Sequence, residues 1–138
     1  MKRAVALLAL AGAAACAGQA PDPPTTRQAS AAELALGERI YRRCYACHAL
    51  ESGRSTPAGP TLRGIVGRPI AAEPGFNYSP PLRRFAEHNG RWSPMLLDRF
   101  LADPAATAPG NEMGFPGIDD ASERRALIAW LESPRDGE

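Results

Sequence analysis

Lysine is almost missing from this sequence: of its 16 basic residues only Lys2 carries an amine, and the rest are arginines. These cations nearly balance 15 acidic residues, leaving a formal charge of +1 and no basic block. A chain without a concentrated positive face does not gather phosphates, so nucleic acid is disfavoured as a partner. Long apolar runs are also lacking. The most apolar stretch, Ala4 to Ala15, falls well short of the roughly 20 residues that a membrane-spanning helix needs. Cysteine is scarce, with 3 in all and a single C-x-x-C pair, Cys44 and Cys47. Without a second pair, and with His88 as the remaining plausible ligand, a structural zinc site is poorly served. No βαβ pattern surrounds the pair, which argues against a thioredoxin-type redox disulfide. Strand-like alternation is absent from the glycine- and proline-rich stretch Ser52 to Pro81, and no acid, base or nucleophile constellation suggests an enzyme.

What the sequence does have is 14 prolines and 13 glycines in 138 residues. That proportion implies many turns and a single core of roughly 100 residues. A core so small buries area inefficiently, so an enclosed cofactor that adds apolar surface would do the work of extra sequence.

The ends read as separate from that core. Residues 1–17 form an export signal, with Lys2 and Arg3 ahead of the apolar run and small residues at its end. Two processing routes fit. Cleavage after Ala15-Cys16-Ala17 would release a soluble protein, and cleavage before Cys16 with lipidation of its thiol would leave a lipoprotein anchored to a membrane. Lipidation also removes the odd thiol of an exported three-cysteine chain. Either route places the protein in the periplasm. Residues 18–29, rich in Pro, Thr and Ala, read as a flexible linker, residues 30–134 as the folded domain, and residues 135–138 as a tail.

Within the domain the signals are helical. Ser30 with Glu33 makes a capping box ahead of a helix running into Cys44, and Gly37 in its middle implies a close neighbour. Ser79-Pro80 and Ser93-Pro94 each place a cap before a proline at the first helical position, giving short helices near 80–88 and 94–102, the second stopped by Asp103-Pro104. Asp120 with Glu123 starts a last helix whose Leu127, Ile128, Trp130 and Leu131 form an apolar face. The fold class is all-α, with long irregular connections and no sheet.

Cys44-Tyr45-Ala46-Cys47-His48 is a C-x-x-C-H motif. One helical turn separates the two thiols, so both can reach the vinyl groups of a haem while the next residue offers an imidazole to the iron. Iron held by one histidine needs a sixth ligand or an open site, and His88, Met95 and Met113 are the candidates. Met95 falls in a helix, where methionine usually fills core, and His88 ends a polar stretch. Met113 lies in a segment free of helical periodicity, Pro109 to Gly117, which could hold a thioether against a flat ring.

Taken in order, several stretches resemble the class I, mitochondrial-type c-type cytochromes: Gly37 to Tyr41 ahead of Cys44, Gly59-Pro60-Thr61-Leu62 with Gly67-Arg68, Pro74 to Tyr78, Trp92, Phe100-Leu101 with Pro104, Pro109-Gly110 with Met113 and Phe115, and Leu127 to Leu131. The resemblance implies a cytochrome c fold of roughly four or five short helices, with long loops wrapped around one covalently bound haem c. It implies that the Pro60 carbonyl fixes the His48 tautomer, that Arg68, Tyr78 and Trp92 bond a haem propionate, and that Met113 is the distal iron ligand. It further implies that the first and last helices cross at Gly37, with Tyr41 meeting Leu127 and Trp130. The sequence departs from the mitochondrial pattern in a longer stretch between Phe76 and Trp92, in Asn111 where a hydroxyl residue is usual, and in the missing lysine ring. The function so implied is single-electron transfer between redox partner proteins, by a monomer. Alternatives are a haem-bearing subunit of a larger oxidoreductase complex, and a ligand-binding sensor whose sixth ligand is labile.

Overall fold

Helix α1 (Ala31–Tyr41) begins where Ser30 accepts the Glu33 N–H at 3.2 Å, the first half of the capping box. The structure, a computed structural model, describes residues 28–51 and 54–134. The expected signal of residues 1–17, most of the linker of residues 18–29 and the tail of residues 135–138 lie outside the described residues.

Four more helices follow: α2 (Pro80–Asn89), α3 (Pro94–Ala102), α4 (Pro104–Thr107) and α5 (Ala121–Glu132). Their starts obey the capping chemistry in the sequence. Ser93 accepts the Leu96 N–H, Asp103 that of Ala106, and Asp120 those of Ser122 and Glu123. Ser79 has cap dihedrals and proline follows it, but its hydroxyl makes no capping bond and is buried. Among the described residues the nearest thing to a sheet is one isolated bridge between Pro69 and Arg91.

One expectation is corrected. Helix α1 stops at Tyr41 instead of running into Cys44: the N–H groups of Arg42, Arg43 and Cys44 bond carbonyls three residues back, which tightens the last turn. Tyr41 donates its hydroxyl to the His48 carbonyl at 2.6 Å, which ties the end of the helix to the motif. The expected stop at Asp103-Pro104 is where α3 ends. Asp103 is the end of α3 and also the N-cap of α4, because a proline that cannot continue one helix is well placed to begin the next.

The core is built where α5 crosses α1 and packs on α3. A Cβ on Gly37 would lie 2.2 Å from the Ala126 carbonyl oxygen and 2.5 Å from the Trp130 Cβ, so only glycine lets the two helices approach this closely. Tyr41 stacks beside Trp130 with ring centroids 4.9 Å apart, and Leu127 is wholly buried. A second aromatic group, Phe85, Trp92 and Phe100, joins α2 and α3, with Trp92 and Phe100 centroids 5.0 Å apart. Arg124 fastens the base of α5 by bonding Asp98 at 2.8 Å and the carbonyls of Ile118 and Asp119.

Candidate functional site

The five-residue motif occupies a run of turns directly after α1, with the His48 N–H bonded to the Cys44 carbonyl at 2.9 Å. Cys44 is half-buried, Cys47 is exposed, and both are free thiols. Burial raises the Cys44 thiol pKa, partly countered by the neighbouring Arg43 cation.

The loop that follows is folded onto the motif. Thr56 donates its hydroxyl to the Cys47 carbonyl at 2.5 Å and accepts the N–H groups of Ala58 and Gly59. Thr61 donates to the Ala49 carbonyl at 3.1 Å, and the Leu62 N–H reaches the same oxygen at 2.9 Å. These bonds present the Pro60 carbonyl 2.7 Å from His48 Nδ1. Gly59 lies so near that a Cβ there would sit 2.6 Å from His48 Cε1. Burial pushes the imidazole pKa down, against the Pro60 bond, which favours the protonated ring. The ring is thus a neutral imidazole with its Nδ1 proton committed to Pro60, leaving Nε2 with a lone pair and no partner among the described residues.

The three candidates for a sixth ligand sit in different settings. His88 is exposed on α2 with Nδ1 bonded to the Arg84 carbonyl, and Met95 is 76% exposed on α3. Met113 is half-buried and packs against the core with Phe115, Leu62, Val66, Leu82 and Phe85. Its loop is held by Asn111, which donates through Nδ2 to the Pro104 and Ala108 carbonyls, both at 2.8 Å, and accepts the Met113 N–H at 2.9 Å. Sequence reasoning assigned Asn111 no role; an amide is the side chain that can both give and accept in this way.

Arg68, Tyr78 and Trp92 are brought together. The Trp92 N–H donates to the Arg68 carbonyl at 3.0 Å, and the Arg68 guanidinium bonds the Thr61 carbonyl at 2.6 Å, the Arg63 carbonyl at 3.2 Å and the Glu73 carboxylate at 2.7 Å. Tyr78 accepts the Glu73 N–H at 3.2 Å. Its phenol pKa is raised by burial, so the hydroxyl keeps its proton. Both Tyr78 and Trp92 are buried, yet the phenol proton and the indole N–H find no acceptor among the described residues. Buried donors without partners are costly, and these two, on residues linked to Arg68 through Glu73 and through the backbone, suit a carboxylate supplied from outside the chain. Sequence reasoning missed Glu73; its signal was a lone acid between Arg68 and Tyr78, too common a feature to single out.

The donor set, two free thiols one turn apart, a neutral imidazole with a free nitrogen and a pair of orphaned buried donors, fits a haem attached by thioethers with a propionate turned inward. This defines the class as haem-c proteins. No family model matches the chain. It is 38% identical over 99 residues to cytochrome c2 of Agrobacterium tumefaciens, covering 72% of this chain and 89% of that protein. It is 37% identical over 109 residues to cytochrome c of Chlamydomonas reinhardtii, covering 78% and 95% respectively. Cytochrome cH from Methylobacterium extorquens superposes with a TM-score of 0.65 at 35% identity, covering 71% of this chain and 95% of that one. The chain belongs to the class I bacterial c-type cytochromes, and its all-α fold is theirs. It carries one covalently bound haem c with iron and is an electron carrier for redox partner proteins, not an enzyme.

Proposed function

We propose that the protein carries single electrons in the periplasm with iron held between His48 and Met113, and with the porphyrin bonded through Cys44 and Cys47. The observation that carries this reading is the His48 to Pro60 bond, which leaves Nε2 as the coordinating nitrogen of a fixed ring. When bound, the haem supplies a one-electron ferric/ferrous couple, which a thioether ligand shifts toward ferrous.

The chain's own residues position and shield that couple. Thr56, Gly59 and Pro60 hold His48 in one orientation. Asn111 anchors the backbone of Met113, so the thioether is presented from a fixed loop. The partly buried Leu62, Val66, Leu82, Phe85 and Phe115 offer an apolar wall that excludes water. Arg68, Tyr78 and Trp92 receive the inner propionate, offsetting the cost of taking its charge out of water. The finer reading also has the protein exported on the signal of residues 1–17 and working as a monomer, with lipidation of Cys16 fixing it to a membrane.

Purified protein should give a pyridine haemochrome spectrum of one haem per chain. Wild type should show the ferric sulfur-to-iron charge-transfer band and Met113→Ala should lose it, whereas a band that survives the mutation removes Met113 from the iron. Membrane fractionation of wild type against Cys16→Ser tests the anchor, and release of the variant alone into the soluble fraction is the expected outcome.

A further inference from the structure

Glu73 is the one buried carboxylate among the described residues, its side chain only 7% exposed. It is bound to Arg68, itself 16% exposed, at 2.7 Å. Burying such a pair costs several kcal/mol of hydration; replacing both partners with well-packed apolar side chains is often neutral or stabilising, whereas removing one partner alone leaves the other buried and uncompensated. The guanidinium has further support from the Thr61 and Arg63 carbonyls, so it does not need Glu73 to be held in place. The carboxylate therefore acts chiefly as a buried negative charge that compensates Arg68 before any propionate is bound. It sits among the groups that would receive the inner propionate: its own N–H is on the Tyr78 hydroxyl, and Arg68 is tied to Trp92 through the backbone.

We propose that Glu73 is a positioning and charge-setting residue that lowers the reduction potential by sharing the Arg68 guanidinium with the inner haem propionate. The proposal rests on the reading that Arg68, Tyr78 and Trp92 receive that propionate. With two carboxylates on one guanidinium the cluster is left one negative charge in excess. Oxidation of haem iron adds one positive charge, so the excess anion favours the ferric form. Of the five N–H donors of Arg68, the Arg63 and Thr61 carbonyls take two and Glu73 one, so the propionate would be less compensated than it would be without Glu73. Both effects act in the same direction.

The test is a spectroelectrochemical titration of the haem-loaded protein and its variants at neutral pH. Glu73→Gln keeps the shape and removes the charge, Glu73→Ala removes both, and Glu73→Asp keeps the charge. Removing one full charge at protein-interior separations is expected to move the equilibrium about tenfold toward ferrous in Gln and Ala, about 59 mV for one electron. Asp should stay near wild type even if its shorter side chain lowers stability. Two neutral variants at the wild-type potential, or an Asp variant that shifts as far as Gln, would overturn the proposal. Trp92→Phe separates the two levels of argument. If it shifts the potential while the neutral Glu73 variants do not, the propionate reading stands and the role of Glu73 falls; if all three stay unshifted, both fall.

Discussion

The Cβ position of Gly59 is 2.6 Å from Cε1 of His48, closer than any side chain can stand, so the backbone of the loop presses directly on the imidazole. Pro60 follows with its carbonyl on Nδ1 at 2.7 Å, and the two residues fix both the tilt of the ring and its tautomer. Gly59→Ala is expected to displace either the ring or the loop, at about 1–3 kcal/mol for an overpacked site. Chemical denaturation of the haem-loaded protein should show the loss, and the Soret and charge-transfer bands should broaden or weaken. A variant with unchanged midpoint and spectrum would remove the steric argument.

The same logic applies at the helix crossing. A methyl on Gly37 would meet backbone oxygen at 2.2 Å, and backbone cannot rotate away as a side chain can. Gly37→Ala should destabilise by about 3 kcal/mol or more, overriding the roughly 1 kcal/mol that alanine gains in an exposed helix. Urea midpoints of wild type and variant decide between these opposite signs.

Asn111 makes three bonds that no other side chain of its size can reproduce together. Asn111→Ala should cost about 1–3 kcal/mol through unpaired backbone groups. It should also loosen Met113, seen as a weaker ferric sulfur-to-iron band and faster binding of carbon monoxide by the reduced protein. Asn111→Asp retains the acceptor for the Met113 N–H but loses both donated bonds, so it should fall between wild type and alanine.

Asp120 gives a pH dependence whose sign is fixed. The Ser122 hydroxyl and the N–H groups of Ser122 and Glu123 hold its carboxyl below the usual carboxylate range. A depressed folded value means the contribution is present above the unfolded value, near about 3.9, and is lost as pH falls through the folded one. Asp120→Asn keeps a capping acceptor without the charge. The stability gap between wild type and Asp120→Asn should therefore narrow as pH drops below about 4. A gap that stays constant over that range would mean the cap acts through geometry alone.

Much of the architecture was readable from local chemistry. Ser30, Ser93 and Asp120 cap helices as their neighbours imply, and prolines 80 and 94 open helices α2 and α3. Gly37 announced a close approach, and the close approach is there. Other features depend on contacts remote in the chain. The end of α1 is tied to the motif by the Tyr41 hydroxyl on His48, and the base of α5 is held by Arg124 reaching back to Asp98. Helix α4 was hidden because one aspartate serves as the end of one helix and the start of the next. For the site, the motif announced Cys44, Cys47 and His48 outright, while the settings of Thr56, Glu73 and Asn111 emerge only once loops distant in sequence are folded together.

The crossing of α1 and α5 has a topological result. Ala29 and Glu33 at the front of the domain share one surface groove with Ala129 and Glu132 at its back. The described chain is therefore nearly a closed circuit, with α5 clasped against α1 and α3. Every loop that shapes the ring's surroundings is strung between the α1 and α5 sides of that clasp, so a cut inside a loop leaves both pieces tethered, whereas loss of α5 lets the whole circuit open.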